Sequence, residues 1–255
     1  MIYFWAFVIG GGICAIGEIL LMKTNITPET LARYFDQTLL KAYATEDDFR
    51  AFCEESDRYG FAMVAINSAP VKFCRECLQN SAVHVGAAIG FPLGQTTIAV
   101  KVFETEQAIA EGADEIDYVV NLVKLKSRDY AYVEEEMRQI VSICEKHNVI
   151  SKVIFENCYL TDEEKRILCE IALKVKPTFI KTSTGFGTPQ NGVPVGATVA
   201  DVKLMKSIVG DEVKVKAAGG VRTLADAIAM IEAGAERIGT SVGVKIVEEL
   251  KAKCV

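Results

Sequence analysis

The sequence predicts an α/β domain of the (β/α)8 barrel class, preceded by an extra N-terminal hydrophobic helix, and three observations predict it. Short β-branched runs recur with starts 21 to 37 residues apart, the length that a strand, a loop and a helix need. Four of the stretches between them open with a threonine followed three residues later by a carboxylate, the spacing of a helix N-cap. The runs are apolar on both faces, as expected of a parallel sheet covered by helices. Eight such units imply closure, and 255 residues suit a fold of roughly 250. An open doubly wound sheet is the alternative, weakened because no G-x-G-x-x-G follows the first strands.

Residues 1–30 stand apart from the domain expected over residues 31–255. Residues 2–22, "IYFWAFVIGGGICAIGEILLM", are apolar apart from Glu18, and about 20 such residues can cross a bilayer. There is no basic n-region or clear cleavage site of a signal peptide. Lys23 and Arg33 follow, so a spanning segment would leave the remaining chain in the cytoplasm. The segment is similar over this short stretch to the opening of small membrane proteins of the stage V sporulation A group. Possible membrane contact through residues 2–22 is one expectation; a helix packed on the domain, or an appendage, is the other.

The strand candidates are "YFDQTLL" from Tyr34, "AMVAIN" from Ala62, "VHVGAAIGF" from Val83, "EIDYVVN" from Glu115, "KVIFEN" from Lys152, "TFIKTST" from Thr178, "VKVKAAGG" from Val213 and "RIGTS" from Arg237. Helix starts are marked by Thr45 with Asp48, Thr161 with Glu164, Thr198 with Asp201 and Thr223 with Asp226. Gly60, Gly112, Gly210 and Gly234 stand before strands, where a left-handed glycine can end a helix. Leu224, Ala227, Ile228 and Ile231 follow the i, i+3, i+4, i+7 spacing of a buried helix face.

Composition excludes several chemistries. With 28 basic and 34 acidic residues, net charge -6, and no cationic block, nucleic acid is not an expected partner. Eight scattered cysteines with one C-x-x-C, Cys74 and Cys77, suggest reduced thiols rather than a zinc site, and two histidines leave little for histidine-based catalysis. No metal and no cofactor are expected.

Three ionisable residues interrupt apolar strands: Asp117, Lys181 and Lys216. A single buried charge is costly, so such residues are paired or functional, and a structural Lys-Asp salt bridge is the plain alternative. The functional reading uses both lysines. One ammonium beside another in a desolvated pocket has its pKa lowered, leaving a neutral amine able to attack a carbonyl and form a Schiff base. Asp117 would move protons as the carbinolamine dehydrates. Glycines at two neighbouring strand ends, Gly219 and Gly220 in "AAGGVRT", then Gly239 and Gly243 with Ser241 in "IGTSVG", suit a phosphate, as loops after the last two barrel strands commonly do. The expected substrate is a small phosphorylated carbonyl compound.

From about Leu31 to Glu248 the chain resembles the deoxyribose-phosphate aldolase family, through "DQTLLKAYAT", "IGFPLGQTTIAVK", "GADEIDYVVN", "NCYLTDEE", "IKTSTGFGT", "VKAAGGVRT" and "GAERIGTSVGVKIV". The resemblance implies a metal-free class I aldolase that cleaves 2-deoxy-D-ribose 5-phosphate to D-glyceraldehyde 3-phosphate and acetaldehyde in deoxyribose catabolism, in the cytoplasm, as a homo-oligomer (dimer or tetramer). By motif position, Lys181 matches the Schiff-base lysine, Lys216 its charge-tuning neighbour and Asp117 the proton-transfer carboxylate. Asp36 matches an aspartate near the substrate. Thr184, Gly185, Gly219, Gly220, Gly239 and Ser241 fall in the phosphate-binding stretches, with Arg222 after the glycine pair. Three positions depart from the pattern: Gln37 replaces a histidine, Ala65 a cysteine and Val242 a serine. "PQNGVPVGAT" lengthens the loop after Gly187. Another Schiff-base sugar-phosphate aldolase, such as a transaldolase-like protein, and a membrane-tethered, non-catalytic sugar-phosphate-binding domain remain as rival readings.

Overall fold

The structure, a computed structural model, describes residues 26–189 and 192–254. Eight parallel strands close in sequence order: β1 (Phe35–Thr38), β2 (Met63–Asn67), β3 (His84–Ile89), β4 (Glu115–Val119), β5 (Ile150–Ile154), β6 (Phe179–Lys181), β7 (Lys214–Ala218) and β8 (Arg237–Thr240). β1 pairs with both β2 and β8, which seals the barrel and leaves no sheet edge. The helices are α1 (Pro28–Ala32), α2 (Glu46–Tyr59), α3 (Val71–Cys77), α4 (Ile98–Ala110), α5 (Leu122–Lys126), α6 (Tyr130–Lys146), α7 (Asp162–Val175), α8 (Val199–Val209), α9 (Leu224–Glu232) and α10 (Gly243–Lys253). The expected boundary at residue 31 falls inside α1, whose Leu31 and Ala32 are buried in the barrel's core. The expected segment at residues 2–22 lies outside the described residues. Among the described residues no helix is long and apolar enough to cross a membrane.

The predicted caps form. Thr45, Thr161 and Thr223 each accept the third helical N–H while that residue's carboxylate returns a bond to the threonine N–H. Thr198 accepts from Asp201, but the Asp201 carboxylate turns instead to Lys165 Nζ at 2.6 Å, joining α8 to α7. Gly60 ends α2 in the left-handed region, whereas Gly210 takes φ 55, ψ -132. β5 begins at Ile150, two residues before the expected start, because Ile150 and Ser151 already pair with Glu115 and Ile116.

Strand alternation divides the interior in two. Val64, Ile66, Val85, Ala87, Ile116, Tyr118, Val153, Ile180, Val215 and Ile238 belong to one apolar core with the helices. The intervening residues face the barrel axis, where the Met63 thioether occupies the space that a side chain at Gly86 would fill. Around that axis the apolar character gives way to charge.

Candidate active site

Six strands send charged side chains to the axis: Asp36 (β1), Glu115 and Asp117 (β4), Lys152 (β5), Lys181 (β6), Lys216 (β7) and Arg237 (β8). Parallel register puts Asp117 beside Lys152, and Lys181 beside Lys216. Lys181 Nζ lies 2.9 Å and Lys216 Nζ 2.7 Å from the same oxygen, Asp117 Oδ2. Lys152 Nζ takes the other oxygen, Oδ1, at 2.6 Å and also pairs with Glu115. Lys216 reaches Asp36 Oδ2 at 2.5 Å, Arg237 pairs with Asp36, and Arg237 Nη2 stands 2.8 Å from Glu115 Oε1.

This network holds four cations, Lys152, Lys181, Lys216 and Arg237, against three carboxylates, Asp36, Glu115 and Asp117. Loss of one proton balances it. Lys152, Lys216 and Arg237 each touch two carboxylates, while Lys181 touches Asp117 alone. Lys181 is therefore the cation with the least to lose. Burial pushes its amine down, Asp117 pulls it back up, and the Lys216 ammonium lowers it again, leaving it at about 8. Burial is the larger cause, ahead of the Lys216 charge to which the sequence reading gave the lead. Burial alone would raise the Asp117 carboxyl, but Lys152, Lys181 and Lys216 outweigh it and hold that carboxyl well below the usual range.

A cavity of about 300 Å³ opens above this network at the C-terminal ends of the strands. Asp117 and Lys181 form part of its floor; Asp36 and Lys216 are fully buried beneath and do not line it. Asp36, expected near the substrate, is instead engaged with Lys216 and Arg237 inside the barrel. The wall carries Thr184, Gly185, Gly219, Gly220, Gly239 and Ser241, with Arg222 and Lys41 both exposed at the mouth. Gly219 and Gly220 have φ 79 and 81, values that disfavour a side chain. Their loop is braced by the segment before α8: Ala197 N–H donates to the carbonyls of Ala218 and Gly219, both at 3.0 Å, and a Cβ at Gly196 would run into the Gly219 carbonyl. Gly196 and Ala197, at the end of the lengthened loop, thus support the glycine pair.

The departures acquire places. Gln37 Oε1 accepts the Gly243 N–H at the start of α10 at 3.0 Å. Ala65 lines the cavity, and the Val242 N–H donates to Thr240 Oγ1 at 3.2 Å.

A family model described as DeoC/LacD family aldolase matches residues 30–249. The chain belongs to that family. It is 56% identical over 227 residues to the deoxyribose-phosphate aldolase of Lactobacillus acidophilus, covering 89% of this chain and 93% of that protein. To the deoxyribose-phosphate aldolase of Thermococcus kodakarensis it is 51% identical, covering 86% of this chain and 96% of that protein. Among solved structures it is similar to the tetrameric deoxyribose phosphate aldolase of Aeropyrum pernix, with TM-score 0.83 and 31% identity over 93% of this chain and 97% of that one. The DeoC-type barrel and the family's enzyme class agree with the fold and family expected from sequence.

Sequence reasoning missed Glu115, Lys152, Arg237 and Gly196. Glu115 lies two residues before Asp117 on one strand and so on the same face. Lys152 breaks "ISKVIF" as Lys181 breaks "FIKTST". For Glu115, Lys152 and Arg237 the signal was a charge within a strand run; Gly196 carried none.

Proposed function

We propose that this chain is a class I deoxyribose-phosphate aldolase in which Lys181 is the nucleophile. The observation that carries the reading is the position of Lys181: an amine on the cavity floor, with a single carboxylate contact and a pKa of about 8. Such an amine attacks the C1 aldehyde of open-chain 2-deoxy-D-ribose 5-phosphate. The carbinolamine loses water to give an imine, whose protonated form draws electrons as the C2–C3 bond breaks. The C3 hydroxyl gives up its proton to a base as D-glyceraldehyde 3-phosphate leaves with the C3 carbonyl, and the remaining enamine takes a proton at C2. Hydrolysis of the imine then releases acetaldehyde and restores the amine.

Asp117, touching the cavity and Lys181 together, is the proton-transfer group in this reading, directly or through water. Lys216, 2.7 Å from Asp117 Oδ2, keeps a proton at hand and its charge disfavours protonation of Lys181. The positive-φ pair Gly219 and Gly220, with Gly185, Gly239, Ser241 and Arg222, suits the phosphate, at the end of the barrel where this fold commonly binds one. Asp36 acts from beneath by fixing Lys216.

We place the enzyme in the cytoplasm, where buried thiols such as Cys53, Cys74 and Cys169 stay reduced, and infer a homo-oligomer of the kind the Aeropyrum pernix protein forms. Light scattering reads the oligomeric state. The activity is tested by incubation with 2-deoxy-D-ribose 5-phosphate and detection of acetaldehyde, with Lys181→Ala as control. Release by the native chain and none by the variant supports the reading; equal rates sink it. A transaldolase-like activity would show instead as preference for ketone donors.

A further inference from the structure

β5 and β6 do not separate cleanly beyond their paired residues. Phe155 N–H donates to the Lys181 carbonyl at 2.9 Å, and Asn157 N–H donates to the Thr182 carbonyl at 2.8 Å. Two steps along the β5 side thus meet one step along the β6 side, which is a bulge with Glu156 as the extra residue. Glu156 has φ 59, ψ 60, a left-handed conformation that is unfavourable for a non-glycine residue and persists where the surroundings impose it.

The bulge turns the Glu156 carboxylate onto the β6 loop. Its oxygens accept the Thr184 N–H at 3.2 and 3.3 Å and the Thr184 hydroxyl, and Oε1 lies 3.7 Å from Cys158 Sγ. Thr184 Oγ1 in turn accepts the Phe186 N–H at 2.9 Å. The next turn fits as closely: a Cβ at Gly187 would meet Cys158 Sγ, and Tyr159 OH accepts the Thr188 N–H at 2.6 Å. Glu156 is 2% exposed and does not line the cavity, yet Thr184, Gly185 and Phe186, all held in this way, do. Phe186 also meets Phe91 across the mouth, edge to face at 5.4 Å.

We infer that Glu156 is a positioning residue that shapes the β6 loop through Thr184 and so sets the affinity of the cavity for the phosphorylated end of its substrate. The inference rests on the aldolase reading for its substrate but not for its geometry. The carboxylate accepts from both the N–H and the hydroxyl of Thr184, and the loop that carries Thr184 contributes Gly185, with φ 87, to the wall. Without the carboxylate the Thr184 N–H and hydroxyl lose their shared acceptor inside the protein, and the loop must find another arrangement.

The test compares Glu156→Ala and Glu156→Gln with the native chain in three measurements: calorimetric binding of glycerol 3-phosphate, KM and kcat for 2-deoxy-D-ribose with and without its 5-phosphate, and borohydride trapping of acetaldehyde. Glu156→Ala should weaken glycerol 3-phosphate binding and raise KM for the phosphorylated sugar by roughly tenfold, as a small displacement of a binding loop does. It should change trapping at Lys181 and kcat/KM for the unphosphorylated sugar by less than about twofold. Glu156→Gln, which keeps an acceptor for the Thr184 N–H, should recover most of the affinity. Equal losses on both sugars, or unchanged phosphate affinity, would overturn the inference. If Glu156→Ala does not fold, Glu156→Asp, whose carboxylate is one methylene short of Thr184, supplies the same comparison. If the native chain cleaves neither sugar, the function is wrong, and glycerol 3-phosphate binding still decides the role of Glu156.

Discussion

Lys181 and Lys216 share one carboxylate oxygen, Asp117 Oδ2, at 2.9 and 2.7 Å. The sharing makes the two ammonium groups near neighbours in a buried site, and two such charges are held together by the carboxylate between them. Of the two, Lys181 alone meets the cavity, so the proton that leaves most easily leaves the amine that can meet substrate.

Activity should therefore rise with pH through about 8 in the imine-forming step. The sign follows from the nucleophile being the neutral amine, whose fraction falls about tenfold for each pH unit below its pKa. Single-turnover rates of borohydride-trappable imine across pH 6 to 10 check this; a flat profile would mean that Lys181 deprotonation does not control the step.

Lys216→Leu should move the imine-forming profile to higher pH, since Lys216 lowers the Lys181 amine. Because burial is the larger cause, the amine should still titrate below an ordinary lysine. The variant also strands Asp36 with Arg237 alone, and breaking a buried ion pair costs about 3–5 kcal/mol. Urea unfolding run beside the pH profile separates the two effects, and an unmoved profile in a folded variant contradicts the assigned role.

Lys152→Met tests whether the network beneath the floor matters to chemistry. Lys152 ties Asp117 Oδ1 to Glu115, and loss of it should cost about 3 kcal/mol of stability. It also frees one side of Asp117, so the carboxyl should rise from its depressed position. Stability held by the ionised Asp117 is present above the unfolded carboxyl pKa and is lost as pH falls through the folded one. In the variant that loss should begin at higher pH, and acid unfolding followed by circular dichroism reads the midpoint.

Gly196→Ala should raise KM for the phosphorylated sugar by roughly tenfold with a smaller change in kcat, because the added methyl displaces the Gly219 carbonyl and the loop that carries Gly220. The unphosphorylated sugar serves as internal control: a comparable loss on both would show that the loop is not a phosphate site.

The sequence made the barrel legible because covered strands and threonine caps repeat through the chain, and each of the four threonine caps forms as spaced. Lys181 and Lys216 were legible for the same reason that they are costly: a charge in an apolar run stands out. Position along the axis was less so. Lys216 sits one layer below the cavity, with Asp36 beside it, and Lys181 above, although the two lysines read alike as charges in strands. That layering follows from barrel closure and strand stagger, which pair β1 with β8 across about 200 residues of chain. Lys152 and Arg237 were overlooked because each stood at the first position of its candidate run, where a charge is ordinarily solvated; in the barrel both positions lie inside.

Incubation with acetaldehyde and borohydride, followed by peptide mapping by mass spectrometry, decides whether the Lys181 amine forms the imine. An added ethyl group is expected on Lys181, absent in Lys181→Ala and slowed in Lys216→Leu at neutral pH. An ethyl group on Lys216 or Lys152 instead, or none on the folded protein, would contradict that expectation.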